Sequence, residues 1–192
     1  MRITGGQWRG RRLVAAKGSS VRPTTDRARE ALFAILRHDI PGAMVYDLCC
    51  GTGALGLEAL SRGARFVHFV DVAAAALRTV AANLAACEVE PQRYAVHRAD
   101  AARWFAAHRA DAPETALVVL ADPPYGGPVP AALWRALADG PLPAVFVLEH
   151  ADTEPVDPPV GCDCTFDRRR YGTTAFTIIR PAGADPAEDV HG

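Results

Sequence analysis

Apolar positions recur along this chain in two alternating rhythms. Between residues 22 and 38, Ala28, Ala31, Leu32, Ile35 and Leu36 fall at helical spacing, with Pro23, Thr24, Thr25 and Asp26 just ahead of them. That pattern predicts a helix with its start signals in place. Short apolar runs and helical stretches then take turns. "AMVYDL" (43–48), "RFVHFVD" (65–71), "RYAVHRAD" (93–100), "TALVVLAD" (115–122) and "AVFVLEH" (144–150) read as strands. Between them, "GALGLEALSRG", "VAAAALRTVAANLAAC" (72–87), "AARWFAAHRA" and "VPAALWRALADG" (129–140) read as helices. "CTFDRRRYG" and "TAFTIIRP" predict a closing hairpin, and the final "AGADPAEDVHG" a disordered tail. Strands alternating with helices predict an α/β fold with a mostly parallel sheet and right-handed crossovers.

Composition narrows the class. At 192 residues the chain fits one domain. Its 49% apolar and 22% charged residues are ordinary for a soluble globular protein. No apolar run approaches the roughly 18–20 residues of a membrane span, so no membrane partner is expected. "MRITGGQWRGRRL" has no apolar stretch of the secretory-signal kind. Five cysteines, Cys49, Cys50, Cys87, Cys162 and Cys164, form no C-x-x-C pair. Reduced thiols in a cytoplasm fit that pattern better than a zinc site or a disulfide frame. The histidines show no ligand spacing, so no metal is expected.

Net charge is −1, but it is unevenly spread. Residues 1–38 hold eight Arg and one Lys against Asp26 and Glu30, while the rest of the chain is acidic. Arginine forks onto phosphate and stacks on bases. A basic N-terminal segment on an acidic domain points to nucleic acid.

Candidate chemistry lies at the strand–helix junctions, because α/β sheets bind ligands at the carboxyl ends of their strands. The first junction is "DLCCGTGALG" (47–56), where Gly51, Gly53 and Gly56 fit G-x-G-x-x-G. Such glycines permit a tight turn and close approach of a nucleotide-type ligand. Asp71, 20 residues after Gly51, stands where a ribose-binding acid belongs. A dinucleotide and S-adenosylmethionine both satisfy these features. Asp47 separates them, since a carboxylate there repels a pyrophosphate and attracts an ammonium and a sulfonium. Asp100, at the end of the third strand, is a candidate acceptor for an adenine amino group, and equally a plain helix N-cap.

The fourth junction reads Asp122-Pro123-Pro124-Tyr125. The prolines fix φ and remove two N–H donors, which leaves carbonyl acceptors at a rigid corner. Asp122 adds carboxylate oxygens and Tyr125 a flat face. Together they suit a planar ring bearing an exocyclic amine. That amine is a poor nucleophile because its lone pair is conjugated into the ring. Acceptors for both hydrogens pull its nitrogen toward tetrahedral geometry and free the pair for attack on a methyl.

Taken together, D-x-x-x-G-x-G and D-P-P-Y resemble the class I, Rossmann-like S-adenosylmethionine-dependent methyltransferases that modify amino groups. "MRITGGQWRGRRL", "RPTTDRAREALF", "DLCCGTGALGLEALSRGA", "ADPPY" and "RRYGTTAFTIIR" resemble, more narrowly, the bacterial 16S rRNA (guanine-N2)-methyltransferase family, RsmD-like. The resemblance implies a seven-stranded sheet of order 3-2-1-4-5-7-6 with helices on both faces. It also implies a basic N-terminal hairpin extension (1–22) before a methyltransferase domain (23–182) and a tail (183–192). Cofactor contacts carry over to Asp47, Gly51, Gly53, Asp71, Asp100 and Ala101, and the amine site to Asp122, Pro123, Pro124 and Tyr125. The implied cofactor is S-adenosyl-L-methionine, with S-adenosyl-L-homocysteine as product. The implied partner is 16S rRNA within the 30S subunit or its assembly intermediate, in the cytoplasm. Arg9, Arg11, Arg12, Arg22, Arg27 and Arg29 become candidate phosphate contacts, and Arg22 and Arg29 equally candidates for ion pairs with Asp26 or Glu30. Trp8 suits core packing better than base stacking, and Arg168, Arg169 and Arg170 suit a solvated turn or an RNA contact. A DNA adenine-N6 methyltransferase and a non-catalytic RNA-binding assembly factor are the alternatives. The first needs a target-recognition region this chain has no length for, and the second leaves four strand-end acids without purpose.

Overall fold

Strands form where the apolar runs fall, and helices fill the gaps between them. A computed structural model describes residues 1–14, 25–111, 116–124, 129–154, 156 and 163–183. The helices are α1 (Asp26–Ile35), α2 (Ala54–Ser61), α3 (Ala74–Ala86), α4 (Ala101–His108) and α5 (Val129–Ala138). The strands are β1 (Met44–Leu48), β2 (Phe66–Asp71), β3 (Tyr94–Arg98), β4 (Leu117–Ala121), β5 (Val145–Ala151), β6 (Cys164–Tyr171) and β7 (Thr174–Pro181). They build one seven-stranded sheet in the order β3-β2-β1-β4-β5-β7-β6. The first five strands run parallel, and β7 inserts antiparallel between β5 and β6. Both the class and the strand order match the expectation. The third strand begins at Tyr94 rather than Arg93, because Pro91–Arg93 turn as a short 3₁₀ segment.

Burial explains the composition of each strand. Every residue of β4 is buried, as in a strand covered on both faces. β6 is an outer strand with no buried residue and half of its positions exposed, and its arginines discourage edge-to-edge pairing. One core cluster joins Val45, Phe69, Leu120 and Val147 of the sheet to Leu32, Phe33, Leu57 and Val80 of α1, α2 and α3. A second, on the opposite face, joins Tyr46, Leu48, Val119 and Phe146 to Trp104, Phe105 and Leu133 of α4 and α5. Thr25 caps α1 by accepting the Ala28 N–H at 3.1 Å.

The first 14 residues form a strap folded back on itself and laid over α1 and α2. Ile3 N–H donates to the Arg11 carbonyl (3.0 Å) and Gly10 N–H to the Ile3 carbonyl (2.8 Å). Ile3 and Leu13 are buried in the first core cluster. The strap is riveted to α2 by Glu58, which is fully buried. Its carboxylate accepts the Thr4 N–H (2.8 Å), the Thr4 hydroxyl (2.7 Å), the Gly5 N–H (2.8 Å) and the Arg62 guanidinium (2.9 Å). Trp8 is half-buried against the same core and donates its backbone N–H to the Ser61 hydroxyl, in accord with the packing reading.

Candidate active site at the carboxyl end of the sheet

β1 delivers Asp47 and then breaks into the glycine loop. Cys49, Gly51 and Gly53 all adopt positive φ (58°, 53° and 75°), so the chain turns sharply before α2 begins. Gly56 sits in the first turn of α2, where an added Cβ would lie 2.4 Å from the Phe69 ring. Only glycine lets helix and strand approach this closely. At Gly51 the space a Cβ would occupy is open, with nothing nearer than the Cys49 carbonyl at 4.0 Å. A ligand can therefore approach the backbone there.

Four aspartates converge on this loop. Asp47 is buried; its Oδ2 accepts the Gly56 N–H at 2.9 Å, while its Oδ1 has no partner among the described residues. Burial pushes the Asp47 carboxyl well above the usual range, opposed by the Gly56 bond and reinforced by Asp71. Asp71 ends β2 and accepts the Gly51 N–H at 2.9 Å and the Ala73 N–H at 2.8 Å. It thus ties the glycine loop to the start of α3. Asp100 is exposed and caps α4 through the Arg103 N–H at 2.9 Å, with Ala101 buried beside it. Helix capping is what the geometry gives Asp100.

Asp122 extends the β1–β4 pairing by one residue, donating its N–H to the Leu48 carbonyl at 3.2 Å. Burial, then the charges of Glu149 and Asp47, hold its carboxyl well above the usual range. Pro123 is buried and Pro124 exposed, so the corner spans the core boundary. Tyr125 and Arg22 lie outside the described residues. The half-buried Cys49 thiol marks the centre of the group. Burial raises it, and Asp71, Asp122, Asp47 and Asp100 add to the effect, to about 12. A thiol held protonated is no nucleophile, which agrees with a packing role. Among the described residues no arginine forms an ion pair with Asp47, Asp71 or Asp122. No group of three or more His, Cys, Asp or Glu there could hold a metal.

Sequence reasoning missed Glu149. It is buried on β5 directly after Leu148, the partner of Ala121, and its charge acts on Asp122. The one available signal was an acid interrupting the apolar run "AVFVLEH". The neighbouring His150 does not edge the site. Its ring is buried between the Thr177 hydroxyl and the Ala151 carbonyl, each at 2.9 Å.

The arginines divide. Arg9, Arg12 and Arg27 are exposed, and Arg11 is exposed while donating to the Ala86 carbonyl at the end of α3 (2.5 Å). Arg29 is the correction, for it is wholly buried and cannot reach a phosphate. It pairs with Asp26 at 2.7 Å and Glu58 at 3.4 Å, and donates to the Arg2 carbonyl. The strap covers it, and its second acid is Glu58 of α2 rather than the exposed Glu30. At the β6–β7 hairpin, Arg168 and Arg170 bind Asp152, and Arg169 pairs with Asp167 at 2.8 Å. Asn83 of α3 links strap to loop. Its side chain accepts the Val14 N–H (2.7 Å) and donates to the Val14 and Thr52 carbonyls (3.2 and 2.9 Å).

A sheet of this order, with a glycine loop after its first strand and acids at the ends of β1, β2 and β4, defines the class I methyltransferase fold. The chain belongs to the family described as "Conserved hypothetical protein 95", whose model matches residues 1–180. It is 36% identical over 188 residues to "Putative rRNA methyltransferase YlbH" of Bacillus subtilis, covering 95% of this chain and 100% of that protein. It is 47% identical over 85 residues to "Ribosomal RNA small subunit methyltransferase D" of Escherichia coli, covering 44% of this chain and 43% of that one. Among solved structures, "Putative methyltransferase yhhF from Escherichia coli" superposes with a TM-score of 0.77 at 30% identity, covering 95% of this chain and 98% of that one.

Proposed function

We propose that this protein is an S-adenosylmethionine-dependent methyltransferase acting on the exocyclic N2 amine of a guanine in small-subunit rRNA. The observation that carries the reading is the convergence of Asp47, Asp71 and Asp122 beside a glycine loop that is open at Gly51. The residues fit the cofactor. Asp47 has a buried oxygen without a donor among the described residues, Asp71 lies against the loop backbone, and no arginine among the described residues pairs with these carboxylates. Asp47, Gly51 and Gly53 would hold its amino-acid portion, Asp71 the ribose, and Asp100 with Ala101 the adenine. When bound, it supplies a methyl group on a cationic sulfur.

The chain's own residues do the rest. Asp122 accepts a hydrogen from the target amine, and the Pro123 carbonyl is the second acceptor. With both hydrogens held, the nitrogen lone pair is drawn out of conjugation with the ring, and Asp122 would be placed to take up the hydrogen it holds. A raised Asp122 pKa suits that role. Pro123 is buried, and the buried side of the corner limits the water that would weaken these contacts. The base must leave its stack to enter, as in other nucleobase chemistry. Arg9, Arg11, Arg12 and Arg27 form the exposed basic face proposed to grip the surrounding phosphates. The names of the relatives support an rRNA substrate, and assembling 30S subunits in the cytoplasm are the proposed setting.

The test is methyl transfer from labelled S-adenosylmethionine to 30S subunits, free 16S rRNA and DNA in parallel, with the product nucleosides identified. N2-methylguanosine from a ribosomal substrate, lost in Asp122→Ala, is the expected result. Methyladenine from DNA would overturn the substrate, and no transfer to any of them would overturn the activity.

A further inference from the structure

Asn83 lies in the last turn of α3 and is fully buried. A buried primary amide has an acceptor oxygen and two donor hydrogens to satisfy inside the protein. Asn83 commits all of them to backbone. Its Oδ1 accepts the Val14 N–H at 2.7 Å, and its Nδ2 donates to the Val14 carbonyl at 3.2 Å and the Thr52 carbonyl at 2.9 Å. Val14 is thus held through both of its backbone groups, as a neighbouring strand would hold it. Thr52 stands between Gly51 and Gly53, in the turn proposed to hold the cofactor. One side chain joins two segments that are remote in sequence and have different ligands to bind.

Each bond at this junction supports the others. The two contacts with Val14 fix the plane of the amide, and that plane aims the remaining Nδ2 hydrogen at Thr52. Hydrogen bonds that share a group in a buried setting strengthen one another. The rest of the strap converges on the same place. Leu13 donates its N–H to the Met1 carbonyl at 3.2 Å, and the Arg11 guanidinium reaches the Ala86 carbonyl at the end of α3. Arg9 and Arg12 are exposed on this same strap. A polyanion gripped by them bears on the segment that runs into Val14. A cofactor seated on the glycine loop bears on Thr52.

We propose that Asn83 is a positioning residue that couples the two sites, so that RNA on the strap tightens cofactor binding and the cofactor steadies the strap for RNA. This rests on the function proposed above and adds to it a regulation of cofactor affinity by substrate. Coupling between two binding sites is reciprocal by linkage. A ligand that orders a shared element spares the second ligand that cost. The protein on its ribosomal substrate therefore holds the cofactor more tightly than the protein alone.

The first experiment is hydrogen exchange at the Leu13 and Val14 amides, without nucleic acid, in the presence and absence of saturating S-adenosylhomocysteine. In the wild-type protein the bound ligand is expected to slow exchange there about 5- to 30-fold. In Asn83→Leu, which keeps a branched side chain and removes all three hydrogen bonds, the slowing is expected to fall below about twofold. The Gly53 amide should stay protected by the ligand in both proteins, a split that a general loss of stability would not produce. Asn83→Ala is expected to behave alike, and serves if the larger side chain prevents folding. The second experiment measures the Kd of labelled S-adenosylhomocysteine with and without saturating 30S subunits. Wild-type affinity is expected to rise at least about fivefold, and the rise to be at least about threefold smaller in the variant. Direct contact between the target base and the cofactor is common to both proteins, so the difference isolates Asn83. No slowing at Leu13 and Val14 in the ligand-bound wild-type protein would overturn the proposal without any variant. Undiminished slowing or tightening in the variant would overturn it as well. Failure of the wild-type protein to bind S-adenosylhomocysteine or 30S subunits would instead overturn the underlying function.

Discussion

Two acidic sites stand at opposite purposes in this molecule. Glu58, under the strap, is fully compensated, with two backbone N–H groups, a hydroxyl, Arg29 and Arg62 around one carboxylate. At the strand ends, Asp47 and Asp122 have no arginine beside them among the described residues, and like charges lie nearby. The first arrangement spends every lone pair on the fold. The second leaves acceptors open at a cost in stability, which is how a site prepared for a donor-rich ligand differs from scaffold.

Breaking the compensated site should cost most. Glu58→Ala leaves Arg29 buried with its charge only partly met, and a loss of about 3–5 kcal/mol in denaturant unfolding is expected. A loss under 1 kcal/mol would mean that the strap is dispensable to the fold. At the open site the effect falls on rate. Asp122→Ala should lower kcat about 100- to 1,000-fold while S-adenosylhomocysteine still protects the protein from heat. Weakened protection would place Asp122 in cofactor binding instead.

The arginines sharpen the contrast from outside. Replacing Arg9, Arg12 and Arg27 with Ala should reduce the salt dependence of 30S binding by about 2–3 in slope. Arg29→Ala should lower stability and leave the slope unchanged in the protein that remains folded. The smallest effect is a gain. Asp122 has a raised carboxyl pKa, so its ionised form is disfavoured in the fold. The resulting penalty is absent below the ordinary value of 3.8 and grows as pH rises toward the raised one. Asp122→Asn should therefore raise Tm by about 2–4 °C at pH 8, with the gain shrinking as pH falls toward 4. A gain that instead grows on acidification would refute the raised pKa.

Legibility in the sequence followed distance along the chain. Asp47, Asp71 and Asp122 stand at strand ends that local periodicity locates, so their convergence was readable. Alternation also gave the α/β class. The reversed order of the last two strands came from family resemblance, since periodicity carries no information on where a hairpin inserts. For Arg29 the ion pair with Asp26 was readable and the phosphate contact was not borne out, because its local setting is an exposed-looking D-R-x-R-E helix, while its cover and its second acid come from a strap and a helix remote in sequence. Glu149 went unseen because one acid in a short strand ordinarily marks a solvent-facing position. Only the pairing of β5 with β4 brings its charge to bear on Asp122.

The Asn83 side chain holds Val14 and Thr52 at once, so the basic strap and the cofactor loop share a single fastening. In evolutionary terms the strap is not a cassette. Grafted onto another domain of the same architecture, it would arrive without the amide at position 83 and the carboxylate at position 58. A recombination boundary between residues 14 and 58 would strand buried polar groups on both sides. Lineages that keep the strap should therefore inherit it together with α2 and α3, as one block.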